Sequence, residues 1–254
     1  MRKAAIVLAA TAGLTACASG GARTEGATAA GDGLIADPFE PANRAVHGFN
    51  KAADRFALRP AAQVYDAATP ALVKHLAGNA VGHLAVPAQA VQGVLRGDLR
   101  SAATSVGRFA VNTVVGAGGL LDPATEVGLP AQPEDFGRTL ASWGVGEGPY
   151  VELPLLGPST ARDAVGRLGG VALDPVSWAA PAAHAEWVPP AASVTGAVDW
   201  RAQNMATVDT ALYGSADSYA IAKSVWLQQR RALIAGGDPT AAPSAPDIYE
   251  DEPF

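Results

Sequence analysis

The sequence predicts an all-α fold, and three observations carry that expectation. Apolar residues recur at helical intervals in several stretches between residues 37 and 237. Prolines and capping residues open those stretches, and glycine closes one of them. No convincing run of alternating, β-branched residues reads as a strand, and no period of roughly 20 to 50 residues repeats.

Val46, Phe49, Ala53 and Phe56 fall at i, i+3, i+7 and i+10, which marks one apolar face of a helix over residues 41–58. Pro41 suits its first turn, with Asp37 and Glu40 as capping candidates. Pro70 opens a second stretch carrying Leu72, Val73, Leu76 and Val81. Val86, Ala90, Val91, Val94 and Leu95 mark a third over residues 87–95. Gly97 ends it and Asp98 caps the next, where Leu99, Ala102, Val106, Phe109 and Thr113 repeat at helical spacing. A last helix over residues 217–234 turns Tyr219, Ala222, Val225, Trp226 and Leu233 inward. Val208, Leu212 and Tyr213 suggest a helix before it.

Two connections are unusually apolar. Val114-Val115-Gly116-Ala117-Gly118-Gly119-Leu120-Leu121 is a glycine-rich turn, and residues 143–158 form a longer connection punctuated by glycine and proline. Ordinary loops are polar because they face water. Apolar ones fit either burial in a core or a surface that touches lipid.

The N-terminus reads as an export signal. Arg2 and Lys3 precede a mostly apolar run over residues 4–13, too short for the ~30 Å of a bilayer core. Leu14-Thr15-Ala16-Cys17 resembles the bacterial lipobox, in which the cysteine sulfur carries diacylglycerol and its amine, freed by cleavage, is acylated. Residues 1–16 are then a lipoprotein signal peptide, and Cys17 is the lipidation site. Cys17 is the chain's one cysteine, so no thiol is left for a disulfide, a nucleophile or a thiolate metal site. Each buried methylene strengthens such an anchor by ~0.8 kcal/mol. Ala18, rather than Asp, follows the cysteine, which by resemblance to enterobacterial sorting favours the outer membrane, on its periplasmic side. Residues 17–36 read as a flexible tether and residues 238–254 as an acidic, proline-rich disordered tail.

The formal net charge is −6, and loss of Arg2 and Lys3 takes the remainder to about −8, which argues against nucleic acid and a polybasic membrane grip. The parts of an enzyme are missing. There is no Gly-x-Ser-x-Gly elbow or His-Glu-x-x-His pair, and the Gly116-x-Gly118-Gly119 turn lacks the Lys-Ser/Thr of a phosphate loop. His47, His75, His83 and His184 read as lone surface or packing residues, and Glu147 and Glu152 as structural carboxylates. No metal or other cofactor is expected. Arg44, Arg59, Arg108, Arg138 and Arg162 lie in or beside apolar segments. Ion pairs or helix caps are the favoured reading, with a phospholipid phosphate as the alternative.

Several blocks together resemble the MlaA (VacJ) lipoproteins. Asp37-Pro38-Phe39-Glu40, Asn43-Arg44, Phe49-Asn50 and Arg59-Pro60 resemble the family's opening. Gly97-Asp98, Arg108-Phe109 and Asn112-Thr113, running into Gly116-x-Gly118-Gly119-Leu120-x-Asp122, resemble its middle. Most specific are Asp135-Phe136-Gly137-Arg138-Thr139-Leu140, the Trp143-Gly144-Val145-Gly146-x-Gly148-Pro149-Tyr150 block, Leu153-Pro154, and Gly157-Pro158-Ser159-x-x-Arg162-Asp163. Asp217-Ser218-Tyr219 with Gln228-Gln229-Arg230 resembles the closing helix. His47-Gly48 and the acidic tail depart from the pattern.

The resemblance covers residues 37–237 and implies a ring-shaped helical protein in the inner leaflet of the outer membrane, beside a trimeric porin. It implies that phospholipids misplaced in the outer leaflet pass through an amphipathic channel to a soluble periplasmic lipid-binding carrier, which maintains lipid asymmetry without chemistry on the lipid. Phe49, Asn50, Gly116, Gly118, Gly119, Leu120 and Leu121 are the candidates for the lipid path, the glycines as hinges of a mobile hairpin. Two other readings compete: a structural porin-associated lipoprotein that moves no lipid, and a lipid-degrading enzyme.

Overall fold

The computed structural model describes residues 37–236. Cys17, the signal segment, the tether and the tail lie outside the described residues. The chain opens with α1 (Glu40–Ala53), a π-helical turn (Asp54–Leu58) and α2 (Arg59–Ala68) in one continuous rod. Pro60 has no N–H to offer the carbonyl four residues back, and the preceding Arg59 N–H reaches five back, to Asp54. The helix read over residues 41–58 therefore runs on to Ala68. Neither Asp37 nor Glu40 caps it through a side chain; Phe39 holds that position.

Next comes α3 (Ala71–Arg96), one helix where the sequence suggested two. Pro87 stands inside it, and packing on both sides keeps it continuous: α3 lies against α4 (Leu99–Val114), α6 (Phe136–Ser142) and α9 (Val188–Gln203). Gly97, at φ 79°, closes α3. Asp98 caps α4 as the sequence indicated, accepting from the Ser101 N–H at 2.9 Å. The short α5 (Pro123–Glu126) follows α4.

Within the apolar connection at residues 143–158, the structure has a hairpin. Strand β1 (Tyr150–Leu153) pairs antiparallel with β2 (Gly157–Thr160), in the register Tyr150↔Thr160 and Leu153↔Gly157. Four residues per strand, interrupted by Pro154, Gly157 and Pro158, are too few to show an alternation. The turn needs φ 62° at Leu155 and 74° at Gly157. The chain continues through α7 (Ala161–Ala172), α8 (Pro175–Ala179), α9, α10 (Met205–Tyr213) and α11 (Ser218–Ile234). Thr160 caps α7 and Asp217 caps α11.

The interior is polar. Among the described residues, eight apolar residues are buried against twenty polar or charged ones, the reverse of an ordinary core. The periodicity of α1 and α4 is as the sequence indicated, but most of the large apolar side chains turn outward. Phe49 is 54% exposed and Phe56 78%, while Asn43, His47 and Asp54 are buried. On α4, Leu99 and Val106 are exposed, and Ser101, Ser105, Arg108 and Asn112 are buried. In α11, Tyr219 and Leu227 are buried and Val225 is exposed.

Charge pairs and amide bonds join the elements in place of apolar packing. Asn43 donates to Asp37 at 2.8 Å and to the Tyr150 carbonyl at 3.1 Å, and accepts from the Glu152 N–H at 2.9 Å. Arg201, 1% exposed, bonds both oxygens of Asp54 across 147 residues of chain and also pairs with Asp209. Arg230 of α11 holds Asp135 and Asp163 together at 2.7 Å each. Arg44, Arg59, Arg108, Arg138 and Arg162 all form ion pairs, with Asp217, Asp209, Asp122, Glu134 and Asp163 respectively. The ion-pair reading of these five holds.

Close backbone approach sets the helix crossings. A Cβ on Gly166 of α7 would stand 2.6 Å from the Gly137 nitrogen of α6, whereas one on Gly82 of α3 meets nothing within 4 Å. Gly166→Ala is expected to destabilise the fold by about 2 kcal/mol, lowering the melting temperature by roughly 5 °C. Gly82→Ala leaves it level or raises it. Thermal denaturation of the two variants checks this.

Acid stability follows from the carboxylates. Burial pushes Asp122 up, but bonds from Thr125, Asn112 and Arg108 outweigh it and hold the group at about 2. Bonds from Arg59, opposed by burial and helped by Arg201, hold Asp209 at about 2. Both lie below the unfolded value of about 4. Their contribution is full above that value and disappears as pH falls through the folded one. Stability is expected to drop between about pH 4 and 2, and Asp122→Asn to reduce the size of that drop. Melting curves across this range test it.

Candidate functional site

Four cavities share walls inside the helical unit. The largest, 700 Å3, is lined by Ala53, Ala57 and Ala61 on one side and by Val194, Ala197 and Val198 of α9 on the other. Alanines four apart put small side chains along one helix face, and the space they leave is the cavity. Leu155, Leu156, Trp200 and Trp226 extend this apolar wall, and Asn50, Asp54 and Arg167 supply its polar atoms. Asp54 is already committed to Arg201 and Tyr213.

A 390 Å3 cavity adjoins it, with Arg167 and Trp226 common to both. Its wall is more polar and carries Gln89, Gln92, Glu134, Asp135, Asp163 and Arg230. Gln89 also belongs to a third cavity of 180 Å3, bounded by Asn79, His83, Arg108, Asn112 and Asp122. A fourth, 530 Å3 and lined by α3, α8 and α9, shares Ala85 with the second. Cavities with apolar and with charged walls thus lie side by side, with lining residues common to neighbours.

The residues expected at a lipid path fall in two places. Asn50 is on the 700 Å3 cavity, where its amide clamps the hairpin turn. Its Nδ2 donates to the Leu153 carbonyl at 2.9 Å, and its Oδ1 accepts from the Leu155 N–H at 2.7 Å. Phe49 beside it is turned outward. Gly116, Gly118, Gly119, Leu120 and Leu121 form a tight turn beyond the 180 Å3 cavity. Gly116 and Gly119 are buried, and Leu120 and Leu121 are about half exposed.

Close contact, as well as backbone freedom, requires those glycines. A Cβ on Gly119 would stand 2.3 Å from the His83 ring, and one on Gly116 2.5 Å from the Leu121 carbonyl. Gly118 and Gly119 also need φ 73° and 90°. The turn is tied down by Asn79, which donates to the Leu120 carbonyl at 3.0 Å. His83 stacks on Phe109 with ring centroids 4.8 Å apart, and its Nε2 meets Thr113 Oγ1 at 3.1 Å. Burial and the neighbouring Arg108 hold His83 below its ordinary pKa.

The other histidines and carboxylates are placed as structural groups. His47 sits between Glu152 and Ser218, at 3.4 and 3.1 Å, and His75 and His184 are exposed. Glu152 accepts from the Tyr150 hydroxyl and from Asn50, and Glu147 pairs with Arg231. Among the described residues no cluster of His, Cys, Asp and Glu is placed to hold a metal ion. Sequence reasoning missed Arg167. Its spacing from Asp163 suggests a helical ion pair, but Arg230 and Arg162 already occupy that carboxylate.

Comparison with known proteins points to one family. The intermembrane phospholipid transport system lipoprotein MlaA of Escherichia coli (strain K12) is 31% identical over 245 residues, covering 94% of this chain and 92% of that protein. A protein of Rickettsia bellii, described only as uncharacterized, is 34% identical over 79% of this chain and 77% of its own length. A solved structure, reported as "Structural basis for maintenance of bacterial outer membrane lipid asymmetry", superposes with a TM-score of 0.68 at 30% identity. The match covers 79% of this chain and 99% of that one. A family model described as MlaA lipoprotein matches residues 35–233, and the chain belongs to that family.

Proposed function

We propose that this chain removes misplaced phospholipid from the outer leaflet of the outer membrane and passes it inward along these adjoining cavities. The observation that carries the reading is a set of adjoining cavities with apolar and charged walls among helices whose large apolar side chains are exposed. Val114, Phe56 and Leu168 are each more than three-quarters exposed. In water they would be a liability; in acyl chains they are matched. No helix among the described residues is long and apolar enough to cross a membrane, which fits a protein seated within one leaflet. The names of the relatives, taken from phospholipid transport and lipid asymmetry, support the same assignment.

The mechanism is passage without chemistry. A phospholipid entering an apolar tunnel would strip water from its headgroup, and one crossing a polar tunnel would expose its chains. Walls of both kinds lower both costs. We infer that acyl groups on Cys17 hold the protein at the outer membrane, that a trimeric porin flanks it, and that a soluble periplasmic carrier receives the lipid. The Gly116–Leu121 turn and the Asn50-clamped hairpin are proposed as the two ends of the path.

Deletion of the gene is expected to raise phospholipid in the outer leaflet, measured on whole cells by acylation of surface lipid, and the wild-type gene to restore it. Ala57→Trp, which fills the 700 Å3 cavity from its wall, is expected to anchor normally yet restore less than half of the wild-type effect. Unchanged surface phospholipid on deletion would overturn the transport reading and leave a porin-associated scaffold.

A further inference from the structure

Arg167 lines both the 700 Å3 and the 390 Å3 cavities, and its guanidinium lacks the carboxylate partner that Arg230 and Arg108 have. Arg230 is held by Asp135 and Asp163, and Arg108 by Asp122 at 2.9 Å. Arg167 donates only to carbonyls of the hairpin, at 2.9 Å to Leu156 and 3.3 Å to Pro158. Among the described residues, no carboxylate pairs with it. Asp163, the acid one helical turn before it, is bound by Arg230 and Arg162.

A half-buried cation with only two carbonyl bonds is incompletely compensated, and burial lowers its pKa accordingly. The remaining guanidinium donors form a planar fork suited to a phosphate or carboxylate oxygen pair. On one side is the alanine- and valine-lined cavity, which Trp226 also lines. On the other the acids are already neutralised by arginines, so a second anion meets no unpaired carboxylate there. The complementary ligand has one anionic group joined to long apolar chains.

We propose that Arg167 binds the phosphodiester of a phospholipid whose acyl chains occupy the 700 Å3 cavity. This assignment rests on the transport reading and names the group in the path that the cargo's charge engages.

The test uses the full chain in detergent, titrated with dihexanoyl phosphatidylglycerol, dihexanoylglycerol and inorganic phosphate. The wild type is expected to bind the phospholipid about tenfold more tightly than the diglyceride. Arg167→Gln abolishes that preference, and Arg167→Lys keeps most of it. The lysine variant, with melting curves for both, separates loss of charge from loosening of the hairpin. A preference retained in Arg167→Gln overturns the assignment of this arginine and leaves transport standing. Inorganic phosphate bound as tightly as the phospholipid overturns it in favour of a free-anion site. Binding of neither glyceride to the wild type removes the transport reading and this one together.

Discussion

The buried ion pair between Arg201 and Asp54 states the constraint on which the rest of the structure depends. The apolar side chains that would ordinarily fill a core are on the outside, so polar contacts must hold the helices together. Asp54 opens the π-helical turn of the first rod and Arg201 lies on α9, so this one pair fixes two elements that both line the largest cavity. Buried pairs of this kind contribute little net stability over an apolar replacement, but losing one partner is costly because it strands the other. They also define position sharply, since a fork-shaped donor accepts few geometries. An interior held by such bonds can leave open space between helices that apolar collapse would close.

The same logic explains which parts of the fold were legible in the sequence. Asp98, Gly97 and Pro41 act locally, and their caps and stops are where the sequence placed them. The period of α1 and α4 was also legible, because it depends only on helical geometry. Their facing was not: periodicity gives the direction of the apolar side, and only the surrounding medium decides whether that side points in. Val46, Phe49 and Phe56 mark a lipid-type exterior as readily as a core. The break at Pro87 was read as a helix boundary because proline removes a local bond, and packing against α4 and α9 overrides that loss. The hairpin escaped because its strands are four residues long and its stabilising contact, Asn50, is more than a hundred residues away.

At the site, sequence found groups but not their grouping. Asn50 and the Gly116–Leu121 turn were both singled out, and they lie beside different cavities of one series. The five arginines beside apolar segments were read as ion-paired, which each of them is. Arg167 belonged to the same class by composition, and what distinguishes it is occupancy: Asp163 has two other arginines on it. That distinction depends on α11 folding back to bring Arg230 to Asp135 and Asp163, a long-range fact that no spacing within α7 encodes.

In the glycine-rich turn, backbone freedom and close packing meet at the same residues. A hinge needs glycine for its φ freedom, yet Gly116 and Gly119 are also required because His83 and the Leu121 carbonyl press against them. A turn so closely packed, with Leu120 held by Asn79 and Thr113 by His83, resists small displacements, because interdigitated contacts have few intermediate arrangements. If it opens, it does so as a unit, trading the contacts with His83 for another set, and not by gradual flexing. Leu120 and Leu121, half exposed at its tip, are the atoms that such a movement would carry, and in acyl chains their exposure costs nothing. The burial of the turn's base and the exposure of its apolar tip are therefore two consequences of one inverted distribution of polarity.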